Sequence, residues 1–410
     1  MTTSRLYLLS QTLTSLANSV MFTTYTLYYV QALGLSPLQL VLVGTAVEVA
    51  VLLFEVPTGV VADAYSRRTS VIIGSFVMAG AYLLEGAIPF WGKAVTFFWA
   101  VAVAEVIRGI GWTFISGAEE AWITDEVGVE QVGALHLRAG QLQRIAGLAG
   151  IALSVALANI ALYLPYLAGG AIILTIGCLQ LLYMPETAFR PRPRGDRSHW
   201  SLMGQTFAEG IATVRARPVL LSLLVVTVVA GAASEGIDRL WEAHMLITFR
   251  LSAMLGLSVP TLFGIFSALG SLLGIGVAAV ARRTLDFKSE RAVARTLLVS
   301  AAVRVGLLLV FALAPAMGLA AGAILLFRLT GAVYYPMYRA WLNQQIDSRV
   351  RATVLSLVGQ SDALGQSLGG PAVGWVSTRF SLRAGLTLAA AFLAPSLALF
   401  GKLRPGKTTA

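Results

Sequence analysis

Long apolar stretches separated by short polar breaks run the length of this chain. Charged residues and Pro- or Gly-containing breaks divide them into twelve spans, at 6–33, 37–62, 69–90, 94–126, 131–160, 162–185, 218–248, 255–281, 292–313, 318–346, 350–378 and 382–403. Each is near or above the roughly 20 residues that carry a helix across a bilayer. One stretch breaks the rhythm. "PETAFRPRPRGDRSHW", residues 185–200, is rich in Pro and Arg and cannot reside in hydrocarbon. It separates six spans from six. The pattern therefore predicts an all-α membrane protein of twelve transmembrane helices in two pseudo-symmetric six-helix bundles. The domains are 1–185, a cytoplasmic linker over 186–217, and 218–410.

Composition agrees. Of 410 residues 57% are hydrophobic and 12% charged, about half the charge density of a soluble domain. Mean hydropathy is +0.77. The single cysteine, Cys178, excludes a disulfide framework and a cysteine metal site. The first apolar run is too long for the h-region of a cleavable signal peptide. A net charge of +10 raises the question of nucleic acid, and the placement of the charges answers it. With the N-terminus inside, 19 of the 30 Lys and Arg fall in inside segments, among them Arg67, Arg68, Arg190, Arg282 and Arg349, and four fall outside: Lys93, Arg250, Arg379 and Arg383. That bias predicts a multi-pass protein of the cell membrane with both termini cytoplasmic. The positive charge is a topology signal, with the lipid bilayer and not nucleic acid as its partner.

The halves also resemble each other at an offset of 219 or 220 residues. "RGIGWTFISGAEEAWI" begins at Arg108 and "RLTGAVYYPMYRAWL" at Arg328. With one gap, Gly111 matches Gly331 and Ala121-Trp122 matches Ala340-Trp341. The register continues through Gly140-Gln141 with Gly359-Gln360 and Gly150 with Gly369. Repeated halves are the common plan of secondary transporters.

"GVVADAYSRR", Gly59 to Arg68, follows span 2, and "FEVPTG" leads into it. This loop resembles the signature G-x-L-A-D-R-x-G-R-K of the major facilitator superfamily, matching at Gly59, Ala62, Asp63, Arg67 and Arg68. Ala64 and Ser66 stand where that pattern has Arg and Gly. In the second half "GIGVAAVARRTLD" (274–286) keeps Arg282 and Arg283 at the equivalent loop and lacks the aspartate. The resemblance implies the major facilitator fold, with Gly59, Asp63, Arg67 and Arg68 forming a gating latch between the halves. "SGAEEAWITDE" (116–126) and "SEGIDRLWEAH" (234–244) are similar to the bacterial twelve-helix drug/proton antiporter branch. Two patterns of that branch are missing: the helix-4 R-x-x-Q-G appears as Arg108-Gly109-Ile110-Gly111, and helix 5 lacks its Gly-Pro.

Ionisable residues at membrane depth are costly unless they face a cavity or a partner. Glu235, Asp238, Arg239 and Glu242 fall on one face of span 7 at about 100° per residue. Three carboxylates exceed the one arginine, which suits a proton site. Glu242 is the one nearest the outer interface. In span 4 Glu105, Arg108, Trp112 and Glu119 share a face, with Glu120 about 100° around. Arg108 and Glu105 lie within one turn of each other. Arg108, Glu119, Glu120, Glu235, Asp238 and Arg239 are the candidates for proton coupling and the substrate cavity. Glu48, Trp112, Gln141, Arg144, Arg328, Arg339 and Asp362 are candidates to line it. Glu85 is expected at the outer interface, and Asp125, Glu126 and Glu130 as a solvated run. Trp112, Trp122, Trp241 and Trp341 share helices with these charges and could furnish aromatic walls.

These residues point to a secondary transporter working by alternating access. It would couple protons to the efflux of amphipathic small molecules, cationic ones among them, as a monomer without cofactor or metal. The seven arginines within spans (Arg108, Arg138, Arg144, Arg239, Arg304, Arg328 and Arg339) support an alternative, a carrier of an anionic metabolite or lipid-like anion. If those arginines are all paired to acids the idea fails; if Arg108 and Arg239 stand free it gains. With no HExxH, no paired-Asp motif and three histidines, an enzyme is not expected. A receptor or scaffold on a transporter fold would leave so many intramembrane charges without a purpose.

Overall fold

The computed structural model describes residues 1–91, 94–189, 211–212, 214–215, 217–252, 256–346 and 351–402. Most of the predicted linker thus lies outside the described residues. Among the described residues the long helices are α1 (Thr3–Phe22), α2 (Pro37–Ala64), α3 (Arg67–Ala87), α4 (Ala94–Val127), α5 (Val129–Ile160) and α6 (Leu164–Tyr183), then α7 (Pro218–Ala243), α8 (Val259–Thr284), α9 (Glu290–Leu313), α10 (Met317–Gln344), α11 (Arg351–Arg379) and α12 (Leu382–Leu393). Helix α12 resumes as Pro395–Lys402. Each corresponds to one predicted span.

Ten of these are long and apolar enough to cross a membrane by length and composition. The other two are α1 and α11. Helix α1 breaks at Thr23–Thr24 and continues as Tyr25–Leu27 and a π turn, Tyr28–Ala32. Helix α11 carries Gln360, Asp362 and Gln366, which lower its hydropathy. Starts are set by side chains that accept the first free backbone N–H groups. Ser66 Oγ accepts from Thr69 N at 2.9 Å to begin α3, and Ser381 Oγ accepts from Ala384 N at 3.1 Å to begin α12. Pro218 sits in the first turn of α7, where its missing N–H is harmless.

The chain forms two compact units. One comprises Met1–Leu35, Ala46–Gly195 and Ser252–Ala268; the other comprises Ser36–Thr45, Asp196–Leu251 and Leu269–Ala410. Within the first, α1 packs on α5 and α6, and α3 packs on α4 and α6. Within the second, α7 packs on α11 and α12, and α9 packs on α10 and α12. Adding six to each helix number converts one set into the other, so the sequence repeat is a packing repeat.

Two glycines matched in sequence show why. A Cβ on Gly150 would lie 2.6 Å from Ser19 Cβ and 2.7 Å from the Leu16 carbonyl oxygen, so α5 approaches α1 at glycine distance. A Cβ on Gly369 would lie 2.4 Å from Ala232 Cα, and α11 approaches α7 in the same way. Small residues at such crossings let backbones meet where lipid provides no hydrophobic drive. The matched tryptophans also do one job. Trp122 and Trp341 are each 3% exposed and pack into the apolar core of their own unit. Neither is a cavity wall. Each half also ends its first helix in a π turn, Tyr28–Ala32 and His244–Thr248.

Candidate functional site

Helix α1 carries polar side chains at Tyr7, Gln11, Thr14, Ser15, Asn18 and Ser19, a spacing that places them on one face. In the first unit this stripe lines a cavity of about 550 Å³ together with Trp112, Ser116, Glu119 and Glu120 of α4 and Gln143 of α5. A relay of amides fixes the acid. Gln11 Nε2 donates to Glu119 Oε2 at 2.9 Å, and Gln143 Nε2 donates to Gln11 Oε1 at 2.7 Å. Ser15 Oγ donates to the Gln143 carbonyl at 2.8 Å, pinning α5 to α1. Trp112 lines the cavity and keeps 44% of its surface open. Among the described residues the lining contains two carboxylates and no Lys or Arg. Glu120 turns toward His136 of α5, whose Nδ1 lies 3.8 Å from Glu120 Oε1.

Arg108 does not line this cavity. It is paired with Glu105 and lies 5.8 Å from the centre of the Phe22 ring. Glu105 is 1% exposed, and so is Glu85, which the sequence suggested was interfacial. The correction has a physical cause. Glu85 is taken into the bundle by the tyrosines of the α1 π turn, which offer hydroxyls that water would otherwise supply. Glu55 of α2, another intramembrane acid, accepts from Ser116 Oγ at 2.9 Å.

In the second unit a cavity of about 220 Å³ brings Asp238 of α7 to Asp362 and Gln366 of α11, Arg304 of α9, and Tyr334 and Tyr335 of α10. Gln366 Nε2 donates to Asp362 Oδ2 at 2.9 Å. The Arg304 guanidinium donates to Thr330 Oγ1 at 3.1 Å and lies 4.2 Å from the Phe327 ring centre, 5.2 Å from Tyr334 and 5.6 Å from Tyr335. Aromatic faces stabilise a cation that has left water. The span-7 stripe divides its work. Asp238 faces the cavity, while Arg239 Nε pairs with Glu235 Oε1 at 3.0 Å and both are set away from it. Glu242 is buried, at 4% exposure. Arg328 lies 4.9 Å from the Trp241 ring centre. Gln141, Arg144 and Arg339 are exposed on their helices, and Glu48 is half-buried. None of these four lines either cavity.

The GVVADAYSRR loop is tied within the first unit. Arg67 bridges Asp63 at 3.5 Å and pairs with Asp125 of α4, also donating to the Ala121 carbonyl at 3.1 Å. Arg68 donates to the carbonyls of Met184 at 2.7 Å and Leu181 at 2.8 Å at the end of α6. Glu126 accepts from the backbone N–H groups of Thr187 and Ala188 at 2.6 and 2.9 Å. Asp125 and Glu126, expected to be solvated only, therefore have partners: Asp125 holds Arg67 of the loop, and Glu126 holds the chain just beyond α6. A Cβ on Gly59 would meet nothing within 4 Å.

Several site residues had escaped sequence reasoning: Gln11, Asn18, Gln143, Tyr334, Tyr335 and Gln366; Arg304 had been noted only among the arginines within spans. The α1 stripe was readable, since its polar positions recur with helical spacing. The second-unit set was not, because it is assembled from four helices far apart in sequence.

Two bundles that repeat one packing plan, each with a cavity lined by carboxylic acids, define a polytopic carrier of the secondary-transporter class. The profile of the Major Facilitator Superfamily matches residues 7–370. The chain belongs to that superfamily, and it is a transporter rather than an enzyme. A Bacillus subtilis (strain 168) protein known as the uncharacterized MFS-type transporter YxaM is 25% identical over 368 residues, covering 88% of this chain and 86% of that one. Among solved structures, the nucleoside transporter NupG superposes with a TM-score of 0.73 at 13% identity, covering 98% of each chain. The D-xylose-proton symporter superposes with a TM-score of 0.72 at 12% identity, covering 98% of this chain and 97% of the other. At such identities the superpositions speak to fold alone.

Proposed function

We propose that the protein is a proton-coupled exporter of amphipathic small molecules, cationic ones in particular, with both termini in the cytoplasm. The observation that carries this is the first-unit cavity: Glu119 held by Gln11 and Gln143 beside an open Trp112, with no Lys or Arg in the described lining. A carboxylate beside an aromatic face attracts a lipophilic cation and repels an anion. The anionic alternative loses support, because Arg108 is paired with Glu105 and Arg239 with Glu235. Asp238 and Asp362, in the other cavity, are the acids assigned to the proton. Two carboxyls face one small space with the Arg304 guanidinium, which balances one carboxylate and leaves the second as the group to load and unload a proton. The Asp63–Arg67–Arg68 loop serves as the latch, with its arginines anchored on α4 and α6.

The test uses purified protein in liposomes with an imposed pH gradient and a lipophilic cationic dye. Wild type should move dye against its gradient when the proton gradient is present and stop when it is collapsed. Asp238→Asn should lose gradient-driven movement. Dye that stays put under every gradient would remove the cationic-export reading and send the search to other substrates.

A further inference from the structure

The buried acids Glu85 and Glu105 belong to neither cavity. They meet at one phenol. Tyr29 Oη, on the α1 π turn, bonds to Glu85 Oε1 and lies 3.3 Å from Glu105 Oε1, while Tyr166 of α6 donates its hydroxyl to the same Tyr29 oxygen at 2.9 Å. Three oxygens thus surround Tyr29 Oη. The phenolic protons of Tyr29 and Tyr166 satisfy two of these contacts. The third, longer contact brings a second buried carboxyl, Glu105, up to the same phenol, with the Arg108 guanidinium beside it. Among the described residues, the titratable and charged groups around the pair include Tyr25, Tyr28 and Tyr29 of the segment that continues α1, Tyr82 of α3, Arg108 of α4 and Tyr166 of α6.

The fold does not demand acids here. Aligning the ends of α3 and α9 puts Glu85 opposite Phe311, and the repeat that matches Arg108 with Arg328 puts Glu105 opposite Leu325. In the second half Phe311 is fully buried and closes the equivalent place with its ring edge-on to His244 of the other π turn, at 4.9 Å. One half is therefore built with an aromatic and an aliphatic residue where the other buries two carboxyls at considerable desolvation cost.

We propose that Glu85 is a proton-binding residue of the transport cycle, sharing its proton with Glu105 through Tyr29. This rests on the proton-coupled reading above and adds a site that is separate from Asp238 and Asp362. The structure also supplies a path from proton to substrate. Glu85 holds α1 twice, its backbone carbonyl accepting from Tyr28 Oη at 2.9 Å and its carboxyl accepting from Tyr29. The same helix carries Gln11, which holds Glu119. Eighteen residues separate Gln11 from Tyr29 in sequence, about 27 Å of helix at 1.5 Å per residue. Losing or gaining the shared proton changes how the π turn is held, and the break at Thr23–Thr24 gives α1 a place to bend in response.

Glu85→Gln keeps the size and the acceptor oxygen while removing the exchangeable proton. In liposomes the expected result is substrate counterflow at the wild-type rate with loss of gradient-driven transport. In infrared difference spectra taken across a pH titration, the wild type should lose a protonated-carboxyl band that is missing from Glu85→Gln and present in Asp238→Asn. Gradient-driven transport by Glu85→Gln at the wild-type rate would overturn the assignment, as would a carboxyl band unaltered by the substitution. If Glu85→Gln does not fold, Tyr29→Phe decides. Removing the bridging hydroxyl should displace the pH at which the band disappears, and an unmoved band would overturn the assignment. If wild type itself ignores the pH gradient, the parent reading has failed; if only Glu85→Gln behaves as wild type, the present one has.

Discussion

Glu119→Gln tests the charge preference of the first-unit cavity with the least disturbance, since the amide keeps the shape of the acid and can still accept from Gln11 Nε2. The magnitude follows from Coulomb's law. A monovalent cation held about 4 Å from the carboxylate gains about 1 kcal/mol in water and about 4 kcal/mol at the effective dielectric near a protein surface. The cavity is open enough to admit water, and Glu119 is only half-buried, so the loss should fall between these limits. That corresponds to a weakening of about fivefold to about a thousandfold in Kd. The assay is equilibrium binding in lipid nanodiscs with two ligands, a lipophilic ammonium dye and its uncharged isostere. The dye should weaken and the isostere should not. Trp112→Ala, which removes the aromatic wall without changing charge, should weaken both. Equal losses for dye and isostere in Glu119→Gln, or no loss for either, would refute the idea that this carboxylate selects cations.

Two further outcomes concern how the bundles hold together. Gly369→Leu should lower thermal stability by about 1–3 kcal/mol through overpacking, because Ala232 Cα already occupies the space at 2.4 Å, whereas Gly59→Ala should be near neutral since its Cβ meets nothing; detergent-solubilised melting curves compare them directly. Asp286, in the α8–α9 connection, accepts from the backbone N–H groups of Lys288 and Ser289, which hold its carboxyl below the usual carboxylate range. A lowered folded pKa means that its stabilisation is present above the unfolded value of about 3.9 and lost as pH falls through the folded value. Asp286→Ala should therefore melt below wild type at neutral pH, with the gap closing on strong acidification; a gap independent of pH would contradict this.

The spans, their number and the halving of the chain were legible because each depends on a local sum: about 20 consecutive apolar residues partition into hydrocarbon whatever the rest of the chain does. The repeat was legible for a related reason. Gly150 and Gly369 satisfy the same helix-crossing geometry, and that geometry admits little but glycine. The pairing of Arg108 with Glu105 and of Arg239 with Glu235 was also within reach of helical spacing, since partners three or four residues apart share a face. Tertiary structure decided the rest. Glu85 looks interfacial by its distance from the helix end, and only the π turn of α1, delivering Tyr28 and Tyr29 across to α3, makes it a buried group. Asp238 and Asp362 are 124 residues apart in sequence and face one cavity because α7 packs against α11. A span is a property of one helix in a solvent, while a site is a property of several helices meeting, and no periodicity along one of them reports which side chains the others bring.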